Sequence, residues 1–153
     1  MISHSLYADQ KGVSLIEVLV TVLVISVGFL GMVALQAKSL STNNSAMSRS
    51  IATVSSYSIL DAMRLDRTNA LNGSYNQQIT ADDCPASGST LRSEQIHAWC
   101  GQLGKYFGAE ATTKAEISCA SSGVCEVVIT YDDSRGTNLI SDETQTFRTR
   151  AML

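Results

Sequence analysis

Lys11-Gly12-Val13-Ser14-Leu15-Ile16-Glu17 opens the long apolar run of this chain, and its reading decides the fold. Between positions 18 and 35 no residue is charged, and between 13 and 35 Glu17 is the sole charge. About 23 residues of helix reach roughly 35 Å, against a hydrocarbon core of about 30 Å. The run is therefore long enough to cross a bilayer, with one carboxylate about a turn from its start. On insertion scales a carboxylate inside a spanning segment costs on the order of 2.5–3.5 kcal/mol. Such a charge needs a partner unless it rests at the headgroup boundary.

The flanks argue against an ordinary secretory signal. The run exceeds the usual apolar region of about 7–15 residues, and no A-x-A cleavage site follows, because Ala34 and Ala37 are spaced wrongly. Lys11 on one side and Lys38 on the other leave the charge rule for orientation without a preference. Ser14 with Glu17 three residues on has capping-box spacing. No proline occurs before Pro85, and Asn72-Gly73 is a fitting stop, so the pattern predicts one helix over about 14–71. Gly28 and Gly31 inside it each cost up to about 1 kcal/mol relative to alanine. They suit either a flexible, closely packed place in a fibre or small-residue packing between membrane helices.

Gly12, a short apolar residue, Ser14-Leu15-Ile16-Glu17 and then Val18-Leu19-Val20 resemble the processing site of type IV pilins and pseudopilins. Ser26-Val27-Gly28-Phe29-Leu30-Gly31, with Leu35-Gln36 after it, is similar to the PilV-like branch of minor pilins. Val13 stands where that family most often has Phe, and no proline bends the helix as in many pilins. The resemblance implies that residues 1–12 are a leader removed by a prepilin peptidase between Gly12 and Val13, with methylation of the freed Val13 amine. It implies that Glu17 acts in assembly, pairing with that amine on its own or a preceding subunit. Coulomb attraction in a low-dielectric fibre is several-fold that in water, yet both charges must be desolvated, so the pair selects register more than it adds stability.

The organisation expected is a leader over 1–12, a transmembrane stretch over 13–37, an amphipathic second half of the helix over 38–72, and a periplasmic globular region over 73–153. Leu40, Met47, Ile51 and Val54, continuing to Leu65 with Ala62 alongside, recur at helical spacing and predict the apolar stripe. Ser39, Ser41, Thr42, Asn43, Asn44, Ser45 and Ser48 make the other face polar but hardly charged, a surface suited to packing between subunits. Asp61 and Arg64, three apart, can pair. Residues 73–90 read as a loop, and residues 93–107 as a short helix with Ile96, Trp99, Leu103, Tyr106 and Phe107 on one face. Residues 112–119, 125–131 and 144–151 alternate as strands, with a turn over 120–123 and a longer loop starting at Asp132. The fold class is α+β: a long N-terminal helix on an antiparallel sheet of three to four strands, which the resemblance also implies.

Cys84, Cys100, Cys119 and Cys125 all follow the membrane segment, and none forms a C-x-x-C pair. An even count in a small exported domain favours disulfides. Three pairings are possible, and locality favours Cys84 with Cys100 and Cys119 with Cys125. No cofactor pattern is expected: there is no phosphate-binding loop, Asp82-Asp83 lacks EF-hand spacing, and His4 and His97 are too few for a triad argument. The net charge of −3 gives no reason to expect nucleic-acid binding, and Arg148 and Arg150 on one strand face read best as a solvated edge.

By resemblance the chain is expected to be a non-enzymatic minor pilin of the inner membrane, single-pass, that takes part in priming and then enters the pilus filament. Its partners would be other minor and major pilins, the prepilin peptidase, the inner-membrane assembly platform and the membrane itself. It would support twitching, adhesion or DNA uptake. The closest alternative is a minor pseudopilin of type II secretion; a membrane-anchored periplasmic enzyme or binding module is the third reading.

Overall fold

The computed structural model describes residues 12–134 and 144–153. The expected leader, apart from Gly12, and residues 135–143 of the expected loop lie outside the described residues. The chain divides into a unit ending at Ser39 and a unit Leu40–Leu153.

Helix α1 runs over Leu15–Leu65. Ser14 holds the N-cap place: its carbonyl accepts from the N–H of Glu17 at 3.0 Å and of Val18 at 3.2 Å. Between Val18 and Leu35 the helix is exposed and without charge, as expected of a segment whose solvent is not water.

The second unit is α+β. After α1 come α2 (Arg67–Leu71), β1 (Gln77–Thr80), α3 (Leu91–Phe107), β2 (Lys114–Cys119), β3 (Val124–Asp132) and β4 (Thr144–Met152). The strands form one antiparallel sheet in the order β1-β2-β3-β4. Alternation gives the sheet its two faces. Ala115, Ile117 and Cys119 of β2 and Cys125, Val127, Ile129 and Tyr131 of β3 are buried, and their neighbours face outward. Cys119 pairs directly with Cys125 in the ladder and is joined to it by a disulfide. The second disulfide joins Cys84 to Cys100 on α3.

The helix face that meets the sheet is not the expected one. Ala52, Ser55, Ser56, Ile59, Leu60 and Met63 are buried, along with Ser41, while Leu40, Met47, Val54 and Leu65 stay exposed. Small side chains at 52, 55 and 56 and the larger Ile59, Leu60 and Met63 together make up the buried face of the helix. A stripe picked from large apolar residues alone misses such a seat. Trp99 locks it: its indole Nε1 donates to the Ser55 carbonyl at 2.9 Å, a buried bond. The expected polar face is also partly consumed, since Ser41 is buried and Ser45 Oγ donates to Asp133 Oδ2 at 2.5 Å.

The single helix expected over 14–71 is interrupted at Asp66, whose φ of −117° and ψ of 45° are not helical. The Asp66 carboxylate accepts from Asn69 Nδ2 at 2.8 Å, and the bent chain restarts as α2. Asp61 and Arg64 pair just before the break. The stop falls at Asn72-Gly73: Gly73, at φ 75°, donates to the Ala70 carbonyl, and Ser74 donates to that of Asn69. This is a Schellman closure, and the left-handed residue is glycine for that reason.

Strand β1 lies inside the stretch expected to be loop. Gln77, Gln78 and Thr80 give it a polar composition, with only Ile79 buried. Asn76 extends its pairing by side chain: Nδ2 donates to the Cys119 carbonyl at 3.2 Å, and Oδ1 accepts from the Cys119 N–H at 2.7 Å. Helix α3 starts at Leu91, two residues before the expected start, because Thr90 and Ser93 close a capping box. Ile96, Trp99, Cys100 and Leu103 are buried, but Tyr106 is exposed. Phe107 instead turns onto Tyr131, with ring centroids 4.5 Å apart.

Two positions separate the observed seat from the stripe. Ile59 is 1% exposed and Val54 69%. Ile59→Ala is expected to cost about 2–5 kcal/mol, whereas Val54→Ala should stay within about 0.5 kcal/mol. Thermal unfolding of the detergent-solubilised chain reads both, and equal losses would place the wrong face against the sheet.

The phenol of Tyr75 is fully buried. Its oxygen lies 3.0 Å from Asp66 Oδ2 and 2.7 Å from Gln95 Oε1. Burial, then the hydrogen bond to Asp66 and its negative charge, hold the Tyr75 hydroxyl above its ordinary range, against a smaller opposing effect of Arg92. Burial and Asp133 push Tyr131 up likewise, with Arg49 opposing. An unfolded tyrosine titrates near 10. Above about pH 10 the unfolded chain therefore releases protons that the native state keeps, and stability falls as pH rises. The melting temperature should drop above that pH, and the drop should be shallower in Tyr75→Phe.

Candidate functional site

The candidate residues at the N-terminus share one short stretch. Gly12, Val13 and Ser14 precede the helix, and Glu17 sits in its first turn, exposed like its neighbours. Ser14 caps the helix, so Glu17 lies in its first turn, four positions after Val13. A Cβ built at Gly12 meets nothing within 4 Å. Among the described residues no packing demands glycine there. The same holds for Gly28 and Gly31, where an added Cβ also meets open space.

The polar residues of the apolar run are satisfied locally. Thr21 Oγ1 donates to the Val18 carbonyl at 2.8 Å, and Ser26 Oγ to the Val22 carbonyl at 2.6 Å. In hydrocarbon no water is present to take these hydroxyl protons, so back-bonding to the helix removes most of their cost. α1 is long and apolar enough to cross a membrane, and none of its most apolar 18-residue window is buried. In chemical terms the segment offers a small-residue junction, a single carboxylate in the first helical turn and a long apolar surface.

The cysteines stand apart from this segment, all in the second unit and all in disulfides. His97 is exposed, its Nδ1 2.8 Å from the Pro85 carbonyl. Among the described residues no group of three or more His, Cys, Asp or Glu side chains gathers to hold a metal ion. Arg148 and Arg150 do share an exposed face of β4, where they lie 3.8 and 3.0 Å from Glu126.

Two features were not foreseen. Met47, Ile51 and Val54 of α1, with Gln102 and Tyr106 of α3, line an apolar groove of about 450 Å³. Met47, Ile51 and Val54 belong to the expected apolar stripe, which lines this groove beside α3. The other feature is Asp133, a buried carboxylate held by Ser45. Nothing in the spacing of positions 45 and 133 could have joined them.

Comparison with known proteins gives one match. The family described as Prokaryotic N-terminal methylation motif matches residues 7–33. No curated protein and no solved structure matches the chain. The matched stretch contains Gly12, Val13 and Glu17 and supports a place among pilins or pseudopilins.

Ser45→Ala tests the buried carboxylate. It takes from Asp133 a hydrogen bond to a charged group, worth about 1.5–3 kcal/mol. The melting temperature should fall accordingly, and an unchanged value would mean that Asp133 does not depend on Ser45.

Proposed function

We propose that this chain is a minor pilin of the PilV-like branch, which takes part in priming type IV pilus assembly and is then incorporated into the filament. The observation that carries the reading is the methylation motif at the head of a helix that is apolar on all sides and long enough to span a bilayer. A prepilin peptidase cuts between Gly12 and Val13, residues 1–12 are lost, and the Val13 amine is methylated. Residues 13–37 hold the protein in the inner membrane, with the disulfide-bonded part in the periplasm. During assembly the helix leaves lipid for the apolar interior of a helix bundle, and the exposed Met47 and Val54 are in keeping with such surroundings further along α1.

Glu17 works in that transfer. Its carboxylate pairs with the Val13 amine of its own or a preceding subunit, and the pair fixes axial register because mismatched stagger leaves two charges unpaired in a low dielectric. The other partners are minor and major pilins and the inner-membrane assembly platform. The motif is common to the pseudopilins of type II secretion, which is the second reading.

The test is intact-terminus mass spectrometry on sheared filaments and on membranes. A methylated terminus at Val13 in trace amounts in the filaments is the expected result. A mature terminus confined to membranes would favour a priming-only protein or a secretion pseudopilin, and an uncut Met1 would sink both. In Glu17→Ala, processing should persist while incorporation into filaments falls well below the wild-type level; normal incorporation would remove the role given to Glu17.

A further inference from the structure

The sheet has two edges, and they are treated differently. β1 has four residues, and a bridge between Thr80 and Asp83 turns the chain away at its end. Shortness and an abrupt turn are usual ways of blunting an edge. β4 has nine residues, and all nine pair with β3 in unbroken register from Val124↔Met152 to Asp132↔Thr144. It holds no proline and no bulge, and among the described residues no strand lies beyond it. Its outer side therefore presents a full row of backbone donors and acceptors, for which the complementary partner is an extended chain.

The side chains of β4 narrow what that chain can be. Thr144, Thr146, Arg148, Arg150 and Met152 face outward and are exposed. Arg148 and Arg150 are the charges of the strand, and Glu126 serves both, close to Arg150 and looser to Arg148. Two guanidinium groups on one carboxylate leave the edge with net positive charge. On the other face Phe147 and Ala151 pack against the core yet stay half-buried, and among the described residues no strand flanks them on the outer side.

A second copy of β4 fits this edge badly. The antiparallel register that pairs all nine residues sets Arg148 opposite Arg148, with Arg150 close by on the diagonal, and like charges directly opposite destabilise a pair. A strand with carboxylates at two alternate positions meets both arginines, and its intervening apolar residues continue the half-open core beside Phe147 and Ala151. We infer that the outer edge of β4 receives an extended strand of a different polypeptide, one that alternates apolar residues with acidic residues set opposite Arg148 and Arg150. This rests on sheet order and charge alone and holds whether or not the chain enters a filament.

The test uses the full chain in detergent. The probe is a blocked nine-residue peptide alternating valine and glutamate, followed by fluorescence anisotropy and by hydrogen exchange of residues 144–152. The expected result is saturable binding with slowed exchange confined to β4. Replacing the glutamates by lysine, or N-methylating alternate backbone amides, should weaken binding about tenfold or more. The Arg148→Glu, Arg150→Glu double variant should reverse the preference toward the lysine peptide, which also shows that the variant is folded. Absence of protection in β4, or equal binding of the glutamate and lysine peptides, would overturn the inference and leave the arginines as guards of an edge that stays single. Protection that grows with protein concentration without any peptide would also overturn it, by assigning the edge to a second copy.

Discussion

The seat of α1 on the sheet is the contact on which the rest of the second unit depends. Ala52, Ser55, Ser56, Ile59, Leu60 and Met63 of α1 are buried, the apolar ones in the same core cluster as the inward residues of β2 and β3, and Trp99 ties α3 to the helix through the Ser55 carbonyl. The arrangement uses one helix for two environments. Between Val18 and Leu35 α1 is exposed and without charge; in the second unit the helix buries Ala52, Ser55, Ser56, Ile59, Leu60 and Met63 and leaves Met47 and Val54 outward. A helix meets all its interior backbone hydrogen bonds within itself, which is why a single uninterrupted element can serve in lipid and against a sheet.

A core this small leans on additional constraints. By a chain-entropy estimate, loops closed at separations of 16 and 6 residues contribute about 3 and about 2 kcal/mol respectively. The Thr90–Ser93 capping box and the Schellman closure at Gly73 define the ends of α3 and α2, and Asn76 adds a side-chain rung beside β1. Each of these fixes a connection between elements rather than an element itself, as suits a fold of short strands in which single elements have few neighbours.

What could be read in the sequence was whatever announces itself by run length or by strict alternation. The apolar run over 13–35 was of the first kind, and β2, β3 and β4 of the second. The stretch that matches the methylation motif was legible because its residues are contiguous. Strand β1 was hidden because it is mostly glutamine and threonine and gains its place by pairing with β2. The break at Asp66 was hidden because aspartate is tolerated in helices and its bonds to Asn69 and Tyr75 are tertiary or local choices. The stripe differs from the buried face because large apolar residues dominate a periodicity count, whereas the buried face includes alanine and serine. Asp133 and the open edge of β4 depend on strand order and long-range placement, which no local pattern carries.

The two disulfides join consecutive cysteines, 84 with 100 and 119 with 125, and neither loop encloses the other. An oxidant that meets the chain in order from the N-terminal side encounters each cysteine just before its native mate. Simple order of arrival then yields the native pairs, with no crossed bridge to be undone by an isomerase. The covalent framework thus requires neither the completed sheet nor β4, and it can be in place while the last strand is still being delivered.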